Sequence, residues 1–111
     1  MKRGTKLINC TNHPVRMNDG TVIEPSGVVA RTFPVFEDAG EEDGMPVFHE
    51  KYGHTIGLPR PQKGVIYVVS QTLLRAAKQY GRRDCLSPAS RHPEAVRNKS
   101  GELISVPGFV K

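Results

Sequence analysis

The segment from Val65 to Gly81 constrains the fold more than any other part of the chain. Val65–Val69 is an uncharged run of β-branched and aromatic residues, which is typical of a strand covered on both faces. Ser70 follows where a helix N-cap belongs, because its hydroxyl can accept a hydrogen bond from a free backbone N–H group. Apolar residues then recur at helical spacing as far as Gly81, a residue suited to end a helix. The sequence therefore predicts a buried strand leading directly into one principal helix over about 71–80.

Short strand-like segments separated by turn residues lie on both sides of this unit. Asn18-Asp19-Gly20 is a strong hairpin signal, since these residue types tolerate positive φ. The first 33 residues are interpreted as an antiparallel meander, and a last hairpin is expected around Lys99-Ser100-Gly101. We expect one α+β domain over residues 1–111, with the helix packed on a small, mainly antiparallel sheet. A partly closed barrel is the alternative.

The net charge of +5 is unevenly distributed along the chain. Residues 37–50 hold six acidic side chains and no Lys or Arg, whereas residues 60–111 hold ten basic and three acidic ones. The acidic stretch also carries Gly40 and Gly44 and few apolar residues, so we expect an exposed loop over about 37–46. The basic half favours an anionic partner, which could be a nucleotide, a nucleic acid or an acidic protein face.

The Cys and His residues do not form a recognisable metal motif. Cys10 and His13 have C-x2-H spacing, and His49 and His54 have H-x4-H spacing. Structural zinc sites usually show two tight ligand pairs, commonly C-x2-C, and no such pair occurs here. We therefore predict no metal and no cofactor, and we expect both cysteines to be free thiols.

Catalytic motifs are equally weak. Ser70 lies at a strand-to-helix junction, but its flanks lack the glycines that expose the serine of a nucleophile elbow. A small hydrolase or nuclease that pairs His13 with Asp84 or Cys85 stays a minor hypothesis. We assign no catalytic residue, and the balance favours a binding protein over an enzyme.

Anion binding has better support, although no P-loop or Rossmann glycine motif is present. A helix that follows a strand presents free N–H groups and the positive end of its dipole at its amino terminus. In Arg82-Arg83-Asp84, we expect one arginine to pair with the carboxylate and the other to stay free for a ligand. The candidate ligand-binding residues are polar and flank the strand–helix unit: Thr11, His13, Ser70, Arg83, Asp84 and Arg97.

Four ordered motifs cover most of the chain apart from the acidic stretch. They read N-x-T-x-H-P-V over residues 9–15, L-P-x-P-x-x-G-V-x-Y-x-V-S over 58–70, R-D-x-L-x-P over 83–88 and V-R-x-x-x-G over 96–101. Together they resemble a family of small uncharacterised proteins of bacteria and their phages. The chain departs from that pattern at Asn12, where the opening motif has proline, and at Asn98, where an Asp often follows the Arg. The resemblance implies a phage or mobile-element origin and a compact accessory protein.

These observations favour a non-enzymatic binding module of phage or mobile-element type. One concrete form is an inhibitor of host defence that sequesters an anionic nucleotide or docks on a defence protein. The alternatives are a nucleic-acid-binding accessory protein and a structural or virion-associated protein. No apolar run approaches the roughly 20 residues of a membrane span, and the basic amino terminus lacks a signal-peptide core. We therefore expect a cytoplasmic protein without membrane contact, in the host cytoplasm if phage-encoded, and a homo-oligomer is left open.

Overall fold

Strands dominate the computed structural model, which describes residues 4–111; the first three residues of the basic amino terminus lie outside it. The strands are β1 (Lys6–Asn9), β2 (Val15–Arg16), β3 (Val22–Ile23), β4 (Arg31–Glu42), β5 (Met45–Ile56), β6 (Val65–Val68), β7 (Cys85–Pro88), β8 (Val96–Arg97), β9 (Leu103–Ser105) and β10 (Phe109–Val110). Helix α1 spans Gln71–Gln79 and connects β6 to β7. In the part of the chain that the structure describes, no helix is long and apolar enough to cross a bilayer.

The central sheet has four strands in the order β1-β6-β7-β10. Strand β6 pairs in parallel with both neighbours, with Ile8 opposite Tyr67 and Tyr67 opposite Cys85, while β10 runs antiparallel to β7. The remaining strands form three antiparallel hairpins, β2-β3, β4-β5 and β8-β9. Parallel neighbours need a long crossover, and α1 supplies it between β6 and β7.

Strand β6 is covered on both faces, as its uncharged sequence predicts. On one face, Tyr67 and Val69 pack with Leu73 and Cys85 under helix α1. On the other face, Val68 packs with Val15 and Val106 from the β2-β3 and β8-β9 hairpins. Burial of Tyr67, Val68 and Val69 on alternate sides matches the uncharged, apolar sequence of the strand. The core therefore consists of a helix layer, the sheet and a hairpin layer.

The strand–helix junction also matches its prediction. Ser70 has extended dihedral angles, and its Oγ accepts a hydrogen bond from the N–H group of Leu73 at 3.1 Å. The helix ends before Gly81, whose φ of +85° breaks the helical path. The helical spacing of Leu73, Leu74, Ala77 and Tyr80 predicts Tyr80 in the core, and this prediction is wrong. Tyr80 is 46% exposed and stacks on His54 with ring centroids 4.5 Å apart.

The topology of the sheet differs from the expected one. The protein is α+β with one short helix, and the hairpin around Asn18-Asp19-Gly20 is present. However, β1 does not join a meander with β2, since its partner β6 lies far along the chain. The sheets are separate and, within residues 4–111, none closes into a barrel. Local turn signals reveal hairpins but not such a long-range parallel pair, and this is why the sequence suggested a more uniformly antiparallel sheet.

The segment 37–46, expected to be a loop, is mostly paired strand. Strands β4 and β5 form one hairpin of two twelve-residue strands, with Glu37 opposite His49 and Glu42 opposite Met45. The hairpin turns at Asp43 and Gly44, with φ of 50° and 78° as a type I′ turn requires. The segments Val47–His49 and His54–Gly57, which the sequence predicts as two short strands joined by a turn at Lys51-Tyr52-Gly53, belong to one continuous strand as far as Ile56. We call this hairpin, residues 31–56, the arm.

Candidate functional site

A cleft of about 550 Å³ opens where the parallel strands β1, β6 and β7 end. The carboxyl edge of parallel strands is a common place for ligands, because helix amino termini and connecting loops meet there. The lining comes from the turn after β1, the start of α1, the loop after β7 and strand β9: Thr11–Arg16, Val69–Gln71, Ser87, Pro88, Ser90, Arg91 and Leu103–Val106. We call it the carboxyl-end cleft.

A buried asparagine shapes the turn on one side of this cleft. Asn9 is 1% exposed, and its amide donates to the carbonyl oxygens of His13 and Ile23 at 2.8 and 2.9 Å. Its Oδ1 accepts hydrogen bonds from the N–H group and the hydroxyl of Thr11 at 2.9 and 2.6 Å. The Thr11 hydroxyl proton is therefore committed to the turn, whereas the His13 side chain is exposed. Thr11 holds the turn in place, and His13 is the member of the turn that could reach a ligand.

The amino terminus of α1 forms the floor of the cleft. Ser70 caps the N–H group of Leu73 with its side chain, and its carbonyl accepts from Leu74 at 2.8 Å. The first N–H groups of a helix have no intrahelical partner, and those of Gln71 and Thr72 form no hydrogen bond with residues 4–111. Of these two residues only Gln71 lines the cleft, which therefore receives one free backbone donor together with the positive end of the helix dipole.

Two arginines supply the formal charge of the cleft. Arg16 follows the buried Val15 in β2, and Arg91 lies in the loop after β7. Both are exposed, and neither forms an ion pair within the described chain. No Asp or Glu side chain is part of the lining. The cleft is therefore electropositive.

Ser87 adds a buried hydroxyl at the same place. Ser87 is 1% exposed, it lies on the same buried face of β7 as Cys85, and it lines the cleft. Its Oγ makes no hydrogen bond with any described residue, although no fully buried polar atom of the described chain lacks a partner. The small residual exposure of Ser87 is therefore at its hydroxyl, which lies in the wall of the cleft.

The six residues predicted from the sequence do not all meet. Thr11, His13 and Ser70 line the carboxyl-end cleft. Arg97 lies beside it, where its guanidinium donates to the carbonyl oxygens of Ser90 at 3.0 Å and Gly101 at 2.9 Å. It therefore positions the loop that carries Arg91.

Arg83 and Asp84 lie at the opposite edge of the sheet, where β7 begins. Asp84 accepts two hydrogen bonds from Arg82, both at 2.9 Å, and Arg82 also donates to the carbonyl oxygen of Pro59. This bidentate pair is largely buried, and the hydrogen bond from Arg82 lowers the pKa of Asp84 below its usual value. Arg83 is exposed, so the expected division into one paired and one free arginine is confirmed.

Basic side chains continue from the cleft across α1 to Arg83. A depression of about 360 Å³ shares Arg91 with the cleft and adds Arg75, Lys78 and Lys111. A further one of about 410 Å³ shares Lys78 and Lys111 and adds Arg83. Neither has an acidic side chain in its lining. We call these five cations, Arg75, Lys78, Arg83, Arg91 and Lys111, the basic face.

The geometry argues against thiol chemistry. Cys10 and Cys85 are free, buried thiols in the core under α1. Burial raises the pKa of Cys85 to about 11, so the reactive thiolate is scarce at neutral pH. His13 lines the carboxyl-end cleft, whereas Cys85 lines the depression at the other edge, so the supposed dyad is not assembled. Among residues 4–111, no three His, Cys, Asp or Glu side chains are close enough to share a metal ion.

Sequence reasoning missed Arg16, Ser87 and Arg91 as members of the cleft. Ser87 carries a weak signal, because it lies between Cys85 and Ala89 in the alternation of a half-buried strand. Arg16 and Arg91 carry none, since only the pairing of distant strands brings their segments together.

Searches of protein-family models, curated proteins and solved structures found no significant match. The family resemblance suggested by the motifs therefore stays a prediction.

Proposed function

We propose that this protein is a binding module that holds a small phosphate-bearing anion, of nucleotide size, in the carboxyl-end cleft. The observation that carries the proposal is the composition of the lining: two unpaired arginines, a helix amino terminus and no carboxylate. A nucleotide fits the volume, since small-molecule sites commonly measure about 300–1,000 Å³. The proposal assigns recognition to the cleft and requires no catalytic group.

Each donor in the cleft suits a phosphate. The free N–H group of Gln71 can bind one oxygen near the positive end of the helix dipole. Arg16 and Arg91 can each form a bidentate pair with a phosphate, and the Ser87 hydroxyl can donate one further hydrogen bond. The side chains of Pro14, Leu103 and Ile104 add apolar surface that could contact a base or sugar.

Calorimetric titration with mononucleotides, cyclic nucleotides and inorganic phosphate tests this proposal. We expect at least one nucleotide to bind, and we expect Arg16→Gln and Arg91→Gln each to weaken that binding about tenfold, the effect of losing one charge-assisted pair of about 1.4 kcal/mol. The matched control is Arg60→Gln, which removes an exposed arginine outside the cleft and should leave affinity unchanged. Absence of binding across the whole panel would rule the proposal out.

A second candidate function is nucleic-acid binding along the basic face. It is favoured by the continuity of that face, whose depressions share lining residues and contain no acidic side chain. Helix α1 alone contributes nine residues, or about 13 Å at 1.5 Å per residue, so the face can contact more than one phosphate. Large aromatic side chains are absent from these linings, which argues for backbone contacts over base stacking.

Gel-shift titration with single- and double-stranded DNA at several salt concentrations tests the second candidate. We expect affinity to fall steeply with salt, and the double substitution Arg75→Gln/Lys78→Gln should lower the salt slope by about 1 to 2. Arg60→Gln serves again as the exposed control. An unchanged slope in the double variant would show that any DNA binding uses another surface.

Both candidates suit the host-defence inhibitor hypothesis, which rests on the small size of the chain, its basic carboxyl-terminal half and the lack of a catalytic motif in the sequence. A protein that sequesters a nucleotide signal would use the carboxyl-end cleft, whereas one that blocks a nucleic acid would use the basic face. The identity of a host target stays a prediction, and the two titrations separate the two forms.

A further inference from the structure

The arm is the part of the molecule that its own fold leaves uncovered. The Cα radius of gyration is 16.5 Å, against about 13 Å for a compact chain of this length, and the longest dimension is 54 Å. Twelve-residue strands at about 3.4 Å per residue reach about 40 Å, so the arm accounts for most of that elongation. Near its base, Gln79 donates to the Tyr52 carbonyl oxygen and His54 stacks on Tyr80.

Large apolar side chains of the arm face solvent. Phe36 and Phe48 are 59% and 58% exposed and contact each other edge to face, with centroids 6.4 Å apart. Other residues of the arm are exposed to a similar degree: Phe33, Val35, Met45 and Ile56. An isolated two-stranded hairpin is marginally stable in water, and exposed apolar patches of this kind mark interaction surfaces.

The charge of the arm is opposite to that of the body. Residues 31–56 hold six acidic and two basic side chains, whereas the rest of the chain holds five acidic and fourteen basic ones. Within the described chain, the one ion pair of the arm joins Lys51 to Glu37, both in the arm itself. The acidic tip around Glu41, Glu42 and Asp43 therefore has no basic partner there, and the basic face has no acidic one.

We propose that the arm docks on the basic face of a second copy of this chain, and that the second copy returns the contact. The acidic tip would lie over Arg75, Lys78 and Lys111, and the exposed aromatic side chains would be covered at the same time. Such a reciprocal contact is a closed two-fold dimer, the commonest form of homo-oligomer. Direct pairing of two arms is disfavoured, because each arm carries six acidic and two basic side chains and the two would repel.

The dimer would bury enough surface to be stable. One face of the arm measures at most about 40 Å by about 10 Å, from the length and the spacing of its two strands, and only its base near Tyr52 and His54 is occupied by α1. Each protomer would contribute such an arm face and a matching body face. The sum is near the roughly 800 Å² per partner of a standard interface. The proposal does not depend on a ligand in the carboxyl-end cleft, since neither the arm nor Arg75, Lys78 and Lys111 line that cleft.

Sedimentation velocity of the full chain tests the dimer. At about 50 mM salt we expect a species of twice the 12.2 kDa chain mass, and at about 1 M salt, where the Debye length is about 3 Å, we expect monomer. Glu41→Lys/Glu42→Lys and, separately, Arg75→Glu/Lys111→Glu should each be monomeric at low salt. The first changes the formal charge of the tip Glu41, Glu42 and Asp43 from −3 to +1, and the second changes that of the patch Arg75, Lys78 and Lys111 from +3 to −1, so that tip and patch then repel. Circular dichroism checks that both variants fold.

Mixing the two variants gives the decisive result. The reversed arm of one variant matches the reversed body of the other, and the unaltered arm and body match as well, so the mixture should form a heterodimer of native affinity. Monomer at every concentration of the native chain would overturn the proposal. A dimer that survives either charge reversal, or a mixture that stays monomeric, would overturn it too, because the contact would not be arm to basic face.

Discussion

The β6–α1–β7 unit and the arm both contain large apolar side chains, but the unit buries them and the arm exposes them. Tyr67 in β6 is 1% exposed, whereas Phe36 in β4 is 59% exposed, and both belong to strands rich in apolar side chains. The unit has a helix on one sheet face and hairpins on the other, while the arm is held mainly by its own backbone pairing. Backbone hydrogen bonds can thus shape a strand that contributes little to the core.

The largest expected contrast comes from truncating one apolar side chain in each region. Leu73→Ala removes a fully buried side chain under the sheet and should lower the free energy of unfolding by about 2–5 kcal/mol. Phe36→Ala removes an exposed ring of the arm and should change it by less than about 0.5 kcal/mol in the monomer at high salt. Urea unfolding at about 1 M salt measures both. Equal losses would show that the arm belongs to the cooperative core.

The second comparison is between the two ion pairs, of which Arg82–Asp84 is largely buried and Lys51–Glu37 is exposed. Asp84 accepts both bonds from Arg82 with 18% of its side chain exposed, whereas Glu37 pairs with Lys51 with 52% exposed. At pH 7 we expect Asp84→Asn to cost about 2 kcal/mol and Glu37→Gln less than about 0.5 kcal/mol.

The Asp84 effect should also depend on pH. The hydrogen bond from Arg82 lowers the pKa of Asp84, so its contribution is present above the unfolded value of about 3.9 and is lost as pH falls through the lower folded value. Native and Asp84→Asn proteins should therefore converge in stability as pH falls below about 4 in urea unfolding. A gap that stays constant with pH would contradict the assignment of this ion pair.

Removing one side-chain hydrogen-bond acceptor in each region should give a smaller difference in the free energy of unfolding. Ser70→Ala removes the acceptor for the Leu73 N–H group and should destabilise the protein by about 1 kcal/mol. Asp38→Ala removes the comparable acceptor for the Gly40 N–H group in the arm, at 2.9 Å, and should leave global unfolding nearly unchanged. Thermal unfolding monitored in the far ultraviolet compares the two. A larger loss from Asp38→Ala would reverse the expected order.

The smallest expected effect comes from replacing one glycine with positive φ in each region. Gly81 at the end of α1 and Gly44 in the arm turn have φ of +85° and +78°, and a Cβ at either position would meet no atom within 4 Å. Replacement by Ala therefore adds about 1 kcal/mol of backbone strain in both cases, without a steric clash. For Gly81→Ala we expect a loss of global stability, and for Gly44→Ala only faster amide exchange within β4 and β5. Hydrogen exchange measured on both variants distinguishes the two patterns. Faster amide exchange throughout the core in Gly44→Ala, or only local changes in Gly81→Ala, would contradict this expectation.

Local sequence signals were sufficient for the strand–helix unit and for most turns. The buried strand Val65–Val69, the N-cap Ser70 and the helix end at Gly81 depend on residues close to them in the chain. Residue propensity and apolar spacing therefore predict these three features well. The arm was misjudged because acidic residues with glycines resemble an exposed loop, although Asp43-Gly44 is also a strong hairpin turn. For the site, Thr11, His13 and Ser70 could be placed in advance, whereas Arg16, Ser87 and Arg91 could not.

The sequence by itself determined a buried strand, a capped helix and the separation of acidic from basic residues. Each follows from side-chain chemistry over a few consecutive positions. Only the tertiary structure decided that β1 lies beside β6, that the ends of β1, β6 and β7 share one cleft, and that the arm stays uncovered. Those outcomes depend on pairing between residues far apart in the chain, where many registers satisfy the same local pattern and only packing of all layers selects one.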